Sequence, residues 1–576
     1  MAEKIVSPGV FTRESDQSFI TEGPIIAGAA IIGPTTKGPI EEPTLVTSYS
    51  DYTSKFGGAI LSGSGRYDFF TTITAYDYFN QGGDALLVTR VVNGAYTSAT
   101  GTAFKSGSAV NASFKLKSIA KGADQNSSGS STLANPDANG VLLSGSDDNV
   151  RFEITNVNET AGTFNLLIRR GNDTTKEKVI LEQYLNVNLD PFSPNYIENV
   201  IGNQTTTVAT DDAGVKYLQI NGNYPNRSRY VYVDSVTTPT PNYLDAAGTR
   251  SSEAYTASLP TAASGALVGA TGAITGVTNF YGDIDGTDAQ GLTGANYQDA
   301  ISILSNKDLY LYGALTFPGL VNENDSEEIN LAISNAETAG DSIVVIDPVY
   351  YGTTNTTTVT GQADNVNTSY AAMYWPWVQT QSPNTGQRVF VPASTFIPGV
   401  YAFNDKQRAP WFAPAGLQRG SLGGVIRAEK SLTKSDRDTL YEGRINPIAT
   451  FSNSGVVVFG QKTLQKKASA LDRINVRRLL INLKQFVGGV GRTLVFENNT
   501  TATRNAFLAQ VNPYLESVQQ RQGLYAFKVV MDASNNTPDV VDRNQLVGQV
   551  FIQPAKTAEF VIIDFNILPT GVEFPS

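Results

Sequence analysis

The cations Lys466, Arg473, Arg477 and Lys484 are the side chains whose spacing points most directly to a chemical task. On an α-helix over 464–486 each residue turns about 100°, which places all four within about 20° of one line. Leu464, Ala468, Leu471, Leu479 and Phe486 then fall near the opposite face. Gly488 and Gly489 are expected to stop this helix. Asp472 is the one acid in the stretch, so the i,i+4 ion pairs that support an isolated helix are missing. A stripe of this kind docks by charge and has no covalent chemistry. The plain alternative is a solvated face, since runs of charge usually meet water. The wider window favours docking: residues 406–492 hold 16 Lys/Arg against 5 Asp/Glu, a net +11 in a chain of net −11. That asymmetry suits an acidic protein surface, on another copy or a different protein. Nucleic acid suits it less, because the chain is acidic and no nucleic-acid module accompanies the patch.

Other chemistry is bounded by composition. The chain has no Cys and no His. Disulfides, thiolate nucleophiles, imidazole metal ligands and Ser-His-Asp triads are therefore excluded. Carboxylate pairs could serve a glycosidase, but the 53 acids offer many pairs and the spacing singles out none. We expect no enzyme, no metal and no cofactor. The run Asp283, Asp285, Gly286, Asp288 resembles part of a calcium loop but lacks the glycine position and distal glutamate of an EF-hand. It reads as a turn. Trp375 and Trp377 read as core or interface packing rather than a ligand platform.

The elements that must position the stripe come next. With 576 residues several domains are expected. No apolar run is long enough to span a bilayer, and the first residues lack a signal-peptide apolar stretch. A soluble protein without membrane insertion is expected. Residues 1–22 read as an extended arm and 23–96 as the first part of a core. Residues 97–242 are rich in Ser, Thr, Asn and Gly. Their alternating runs at 113–119, 151–157, 164–169, 179–185 and 230–236 read as strands of an inserted β-rich domain. Residues 243–404 begin as a long Gly/Ala/Thr-rich connection over 245–295. They then read as α/β, with a strand at 309–315, a helix at 327–338 and a strand at 342–346 forming a βαβ unit. No glycine-rich nucleotide fingerprint follows these strands. Residues 405–576 hold the cationic helix, a strand at 493–496, a helix about 507–520, a strand at 526–531, and β-rich runs at 546–552 and 559–567. The fold class is mixed α/β and α+β, in several domains. Both termini are β-prone. Ile5, Val6, Val10 and Phe11 at one end, and Phe560, Ile562 and Phe565 at the other, mark arms that leave backbone groups for a partner strand.

The stretch 443–480 also resembles the signature of contractile phage tail sheath proteins. Ile445, Asn446, Pro447, Ile448, Phe451, Gly455, Val456, Gly460, Thr463 and Leu464 follow that pattern, and so does the run 473–479, Arg-Ile-Asn-Val-Arg-Arg-Leu. Ser7, Pro8, Gly9, Val10, Phe11 and Glu14 match the family's start. The resemblance continues through 29–57, 370–377, 391–416 and 535–538, and spans about residues 1–95 and 297–576. It passes over the inserted β-domain. It implies a structural subunit that polymerises helically around a tail tube in an extended, metastable state and then contracts. Implied partners are further copies of the chain, the tail tube protein, and baseplate and tail terminator proteins. The implied place is the virion tail, assembled in the host cytoplasm. The resemblance implies that Lys466, Arg473, Arg477 and Lys484 face the tube and that the arms join neighbouring subunits. It leaves open the sheath of a bacteriocin or type VI-like injection system. A secreted surface protein is the remaining alternative from another class.

Overall fold

The computed structural model describes residues 25–559, apart from 63–64, 109–110, 128–140, 213, 246, 275–276, 278, 283 and 285–289. Its centre is an eight-stranded sheet. In chain order the strands are β1 (Ala29–Gly33), β2 (Thr44–Val46), β3 (Leu86–Arg90), β4 (Ala314–Val321), β5 (Ile343–Asp347), β6 (Ala371–Trp375), β7 (Ile445–Phe451) and β8 (Gly455–Val458). They lie in the spatial order β8-β7-β6-β5-β4-β1-β3-β2. Six inner strands are parallel, and the edge strands β2 and β8 run antiparallel to β3 and β7. Strand order reverses between β1 and β4, so the sheet is doubly wound from two distant parts of the sequence.

These strands are near-continuous apolar runs because both faces are covered. Every residue of β1, β3, β5 and β6 is buried. Alternate residues separate onto the two faces. Ala30, Ile32, Leu87, Val344, Ile346 and Trp375 enter one core. Ala29, Ile31, Val88, Val345 and Tyr374 enter the other. Helices α1 (Phe70–Asn80) and α3 (Ile397–Gln407) cover the second core through Phe70, Ile73, Ile397 and Val400. Helix α2 (Ser326–Ala339) covers the first through Ile329, Ala332 and Ala336. The expected βαβ unit is β4-α2-β5. Strand β4 runs past its expected end, through Pro318 and Gly319 to Val321. Its register against β5 shifts between Thr316 and Val321, so the proline sits where no ladder bond is lost.

The inserted domain is a two-sheet sandwich. One sheet orders Ile180–Asn188, Thr163–Arg170, Val150–Asn158 and Ser264–Ala266. The other orders Val231–Val236, Ala112–Lys121 and Ser98–Phe104. Phe114, Phe152, Phe164, Ile168 and Val233 fill the space between them. The strand Ser264–Ala266 falls inside the stretch expected to be a plain connection, and it carries the domain beyond residue 242. Its small residues have a packing reason: a Cβ on Gly265 would lie 2.0 Å from the Phe152 ring. Arg90, at the end of β3, donates to the carbonyls of Gly38 (2.8 Å) and Lys121 (2.9 Å) and so fixes the insert to the core. Beneath the sandwich surface, Asp173 accepts from Arg169 at 2.7 and 2.8 Å and lies 3.5 Å from Arg151.

In the C-terminal part, α4 (Ile474–Arg492) packs on α5 (Thr501–Gln520). Leu479, Leu483 and Val490 meet Phe507, Val511, Leu515 and Val518 there. The expected helix over 464–486 is corrected at both ends. Residues 465–469 are not helical, and α4 starts only at Ile474. It also continues through Gly488 and Gly489, whose propensity cost of about 1 kcal/mol each is offset by burying Val490. Residues 493–496 form turns rather than a strand. A two-stranded antiparallel sheet, Leu524–Val530 with Gln549–Pro554, follows as expected.

Replacing Asp173 with alanine leaves two buried guanidinium groups without that carboxylate, and should weaken the β-domain by about 3–5 kcal/mol. Hydrogen exchange of the strands Val150–Asn158 and Thr163–Arg170 reads the loss. Unchanged exchange contradicts it.

Candidate functional site

The arginine-rich segment folds as a staple between three parts of the chain. Its platform is β7 and β8. Asn446 is wholly buried in β7 and donates to the carbonyls of Met373 (3.1 Å) and Lys462 (2.8 Å), while Lys462 N–H donates back at 2.6 Å. This fastens 460–464 across the sheet's end, and Leu464 N–H reaches Ala371 O at 3.0 Å. Gly460 must be small, since a Cβ there would lie 2.9 Å from Pro447. The chain then loops back, with Thr463 N–H on Asp472 O and Ile474 N–H on Gln461 O. Arg473 is thereby held in extended backbone as the N-cap of α4.

From that cap Arg473 grips Glu559. Its Nε and Nη2 donate to the two carboxylate oxygens at 2.6 and 3.0 Å, and its Nη1 lies 3.0 Å from Asp472. Tyr441 donates its hydroxyl to Glu559 at 2.8 Å and Gln461 its amide at 3.0 Å. Lys462 sits 4.2 Å above the Tyr441 ring. Burial alone would push the Glu559 carboxyl up. The hydrogen bonds from Arg473, Tyr441 and Gln461, with the Arg473 charge, outweigh it and hold the group below the usual glutamate range. Asn475 adds a bond to Thr557 at 3.1 Å. Residues 557–559 are thus tied to the N-terminus of α4.

The next two arginines point elsewhere. Arg477 is only 4% exposed, hydrogen-bonds Ser369 Oγ, and lies 3.9 Å from the centroid of the Tyr370 ring. Burial lowers its pKa, with Tyr370 opposing. Arg478 pairs with Asp405 of α3 at 2.6 Å and stacks over Tyr401 at 4.4 Å. The segment therefore joins α4 to the loop before β6, to α3 and to a C-terminal strut, residues 557–559. This corrects the single exposed stripe. Lys466 lies off the helix, Arg473 is spent on Glu559, and Arg477 is in the interior. Lys466 and Lys484 remain exposed, with Nζ bonds to Asp364 O (2.7 Å) and the Tyr370 hydroxyl (3.1 Å). The wheel failed because it assumed helix where 462–473 folds back on itself. It separated Arg477 from Arg478 correctly but gave Arg477 the wrong destination. Glu559, Tyr441 and Gln461 were missed, since nothing in their local sequence links them to Arg473.

A second feature is the hairpin Leu524–Val530/Gln549–Pro554. Among the described residues neither outer edge is paired, and Tyr525 and Phe551 are 64% and 56% exposed. The arm residues Ile5, Val6, Val10, Phe11, Phe560, Ile562 and Phe565 lie outside the described residues, as do Asp283, Asp285 and Asp288. Trp375 and Trp377 are buried, as expected. Among the described residues no cluster of acids has the form of a metal site, and no helix is long and apolar enough to cross a membrane.

Comparison with known proteins adds the following. Residues 290–464 match the phage tail sheath protein central domain, and 466–567 match the phage tail sheath C-terminal domain. The tail sheath protein of Vibrio phage KVP40 is 37% identical over 210 residues, covering 36% of this chain and 31% of the relative. That of Enterobacteria phage T4 is 34% identical over 210 residues, covering 36% and 32%. The chain thus spans about a third of the length of these curated relatives. A crystal structure of a sheath tail protein from Listeria innocua shares the fold, with TM-score 0.52 and 10% identity over 92% of this chain and 95% of that one.

Two outcomes follow from the staple. Its Glu559 contribution is complete above the free glutamate pKa of about 4.3 and is lost as pH falls through the lowered folded value. In Glu559→Gln, trypsin should cut after Lys556 several-fold faster at neutral pH, and hydrogen exchange of 555–559 should lose its acid transition. Equal cleavage rates would remove the clamp. Arg477→Glu should lower thermal stability by about 2–4 kcal/mol, as expected for disrupting a buried charge contact; an unchanged Tm would return Arg477 to the surface.

Proposed function

Since this chain carries the central and C-terminal domains of the phage tail sheath family and so belongs to it, we propose that it is a structural subunit of a contractile phage tail sheath. Copies stack helically around the tail tube in an extended state and contract to drive the tube through the host envelope. The observation that best supports this is the C-terminal hairpin, whose two outer edges are unpaired among the described residues, beside the firmly anchored residues 557–559. A free edge takes an extended segment by backbone pairing. Segments 1–24 and 560–576 flank the described structure and carry the β-prone residues such pairing needs. When each copy lends an arm to its neighbour the contact is heterologous and does not close, which produces a helix.

The doubly wound sheet supplies a rigid body, and the paired arms keep bodies connected while they rotate and slide. The stored energy is conformational and held by a kinetic barrier. No nucleotide step is invoked, and the role is structural rather than enzymatic. Partners are other copies, the tail tube protein, and the baseplate and tail terminator proteins. The place of action is the virion tail, after assembly in the host cytoplasm. Of the four cations, Lys466 and Lys484 keep exposed ammonium groups suited to a salt-screenable hold on an acidic tube. Arg473 and Arg477 serve that hold indirectly, by fixing the segment that carries it. The tail sheath proteins among the relatives favour a phage virion over another injection machine.

Negative-stain microscopy of the purified chain should show hollow striated tubes, and deletion of residues 1–13 should abolish them. Monomers at high concentration with tube protein present contradict the sheath. Intact tubes without residues 1–13 remove the arm.

A further inference from the structure

The crossing from the central sheet to the inserted sandwich carries an Asn-Gly pair, Asn93–Gly94. Such a pair can modify itself, because glycine has no side chain to shield its backbone nitrogen from the asparagine amide. Reaction requires that nitrogen to be free and the local backbone able to turn. Both conditions hold here. The crossing is fixed at its ends, with Val91 N–H on Gly33 O at 3.1 Å and Thr97 N–H on Thr271 O at 3.0 Å. Between them, among the described residues, no hydrogen bond holds the backbone of 92–95. Asn93 and Gly94 are both exposed. Gly94 has φ +88°, and a Cβ there would meet nothing within 4 Å.

The same dipeptide recurs at Asn221–Gly222, in a different setting. Asn221 ends a strand, paired with Thr205, and its Nδ2 lies 3.5 Å from Thr207 Oγ1. A Cβ on Gly222 would lie 2.6 Å from Asn203 O. Beyond it, Asn223 and Tyr224 donate their N–H groups to Asn203 Oδ1 at 3.0 and 2.9 Å. Ring closure at Asn221 therefore needs local opening, and at Asn93 it does not. A third pair, Asn139–Gly140, lies outside the described residues.

We propose that Asn93–Gly94 is a self-modification site that deamidates in the folded chain, with water as the co-reactant. The Gly94 nitrogen gives its proton to solvent hydroxide and bonds to Asn93 Cγ. The Cγ–Nδ2 bond breaks, and ammonia leaves with a proton taken from water. Water then opens the cyclic imide at either carbonyl, leaving aspartate or isoaspartate. No electrons are transferred. Each event adds one negative charge three residues from Arg90, the side chain that ties the insert to the core. This rests on the single chain and is independent of the sheath reading.

Tryptic peptides 91–105 and 217–227 each contain one of the two pairs, so mass spectrometry follows them separately. The full chain is incubated at pH 8, once folded and once in guanidinium chloride. In the folded chain the 91–105 peptide should deamidate faster than 217–227 by about tenfold or more. In denaturant the two rates should converge, since both asparagines precede glycine. Asn93→Gln should leave the 91–105 peptide unmodified while 217–227 is unaffected. Folded-state rates that are equal, or faster at Asn221, overturn the proposal. So does a difference that persists in denaturant, because sequence rather than structure would then set it.

Discussion

The structure depends on how the run Arg473 to Arg478 distributes its charges. Three arginines within six residues are directed to three different elements. Arg473 takes the strut at Glu559, Arg477 the loop at Ser369 and Tyr370, and Arg478 the helix α3 at Asp405. A planar guanidinium can hold a carboxylate bidentately and stack on a ring at once, which lysine cannot. Helix α4 therefore serves as the piece on which the C-terminal part, the central sheet and the tail strut are registered. Its apolar residues are shared between two partners: Leu479, Leu483 and Val490 meet α5, while Ile474 and Ile481 enter the second core of the sheet.

That registration suits the sliding subunit proposed above. The sheet is sewn from 29–90 and 314–458, with a β-sandwich inserted between them. Arg90 fastens the sandwich through backbone carbonyls of both units. The hairpin after α5 is an open element, with Tyr525 and Phe551 exposed. A rigid core with an open edge suits the linked, sliding array we propose, in which change would be confined to the joints between copies.

Much of this was legible in the sequence, and the failures share a cause. The buried strand β5, the βαβ unit and five of the sandwich strands announced themselves by continuous or alternating apolar runs. The family pattern located the staple to the residue. The partners of its charges were not legible, because Glu559 lies 86 residues from Arg473 and Ser369 lies 108 from Arg477. Helical periodicity misled at 464–473, where backbone bonds to β6 and to Gln461 overrode propensity. It misled again at Gly488 and Gly489, where tertiary burial of Val490 carried the helix onward. The strand at Ser264–Ala266 hid in a glycine-rich run because an aromatic ring above it demands the absence of a side chain.

This arginine run holds one subunit together and leaves docking to what lies around it. A helical reconstruction of the assembled polymer at side-chain resolution tests it most directly. The expected density has Arg473 on Glu559 and Arg477 against Tyr370 within each subunit, with strands from neighbouring copies on the 524–530/549–554 hairpin. Density placing Arg473 and Arg477 against a tube or an adjacent copy, with Glu559 released, would contradict it.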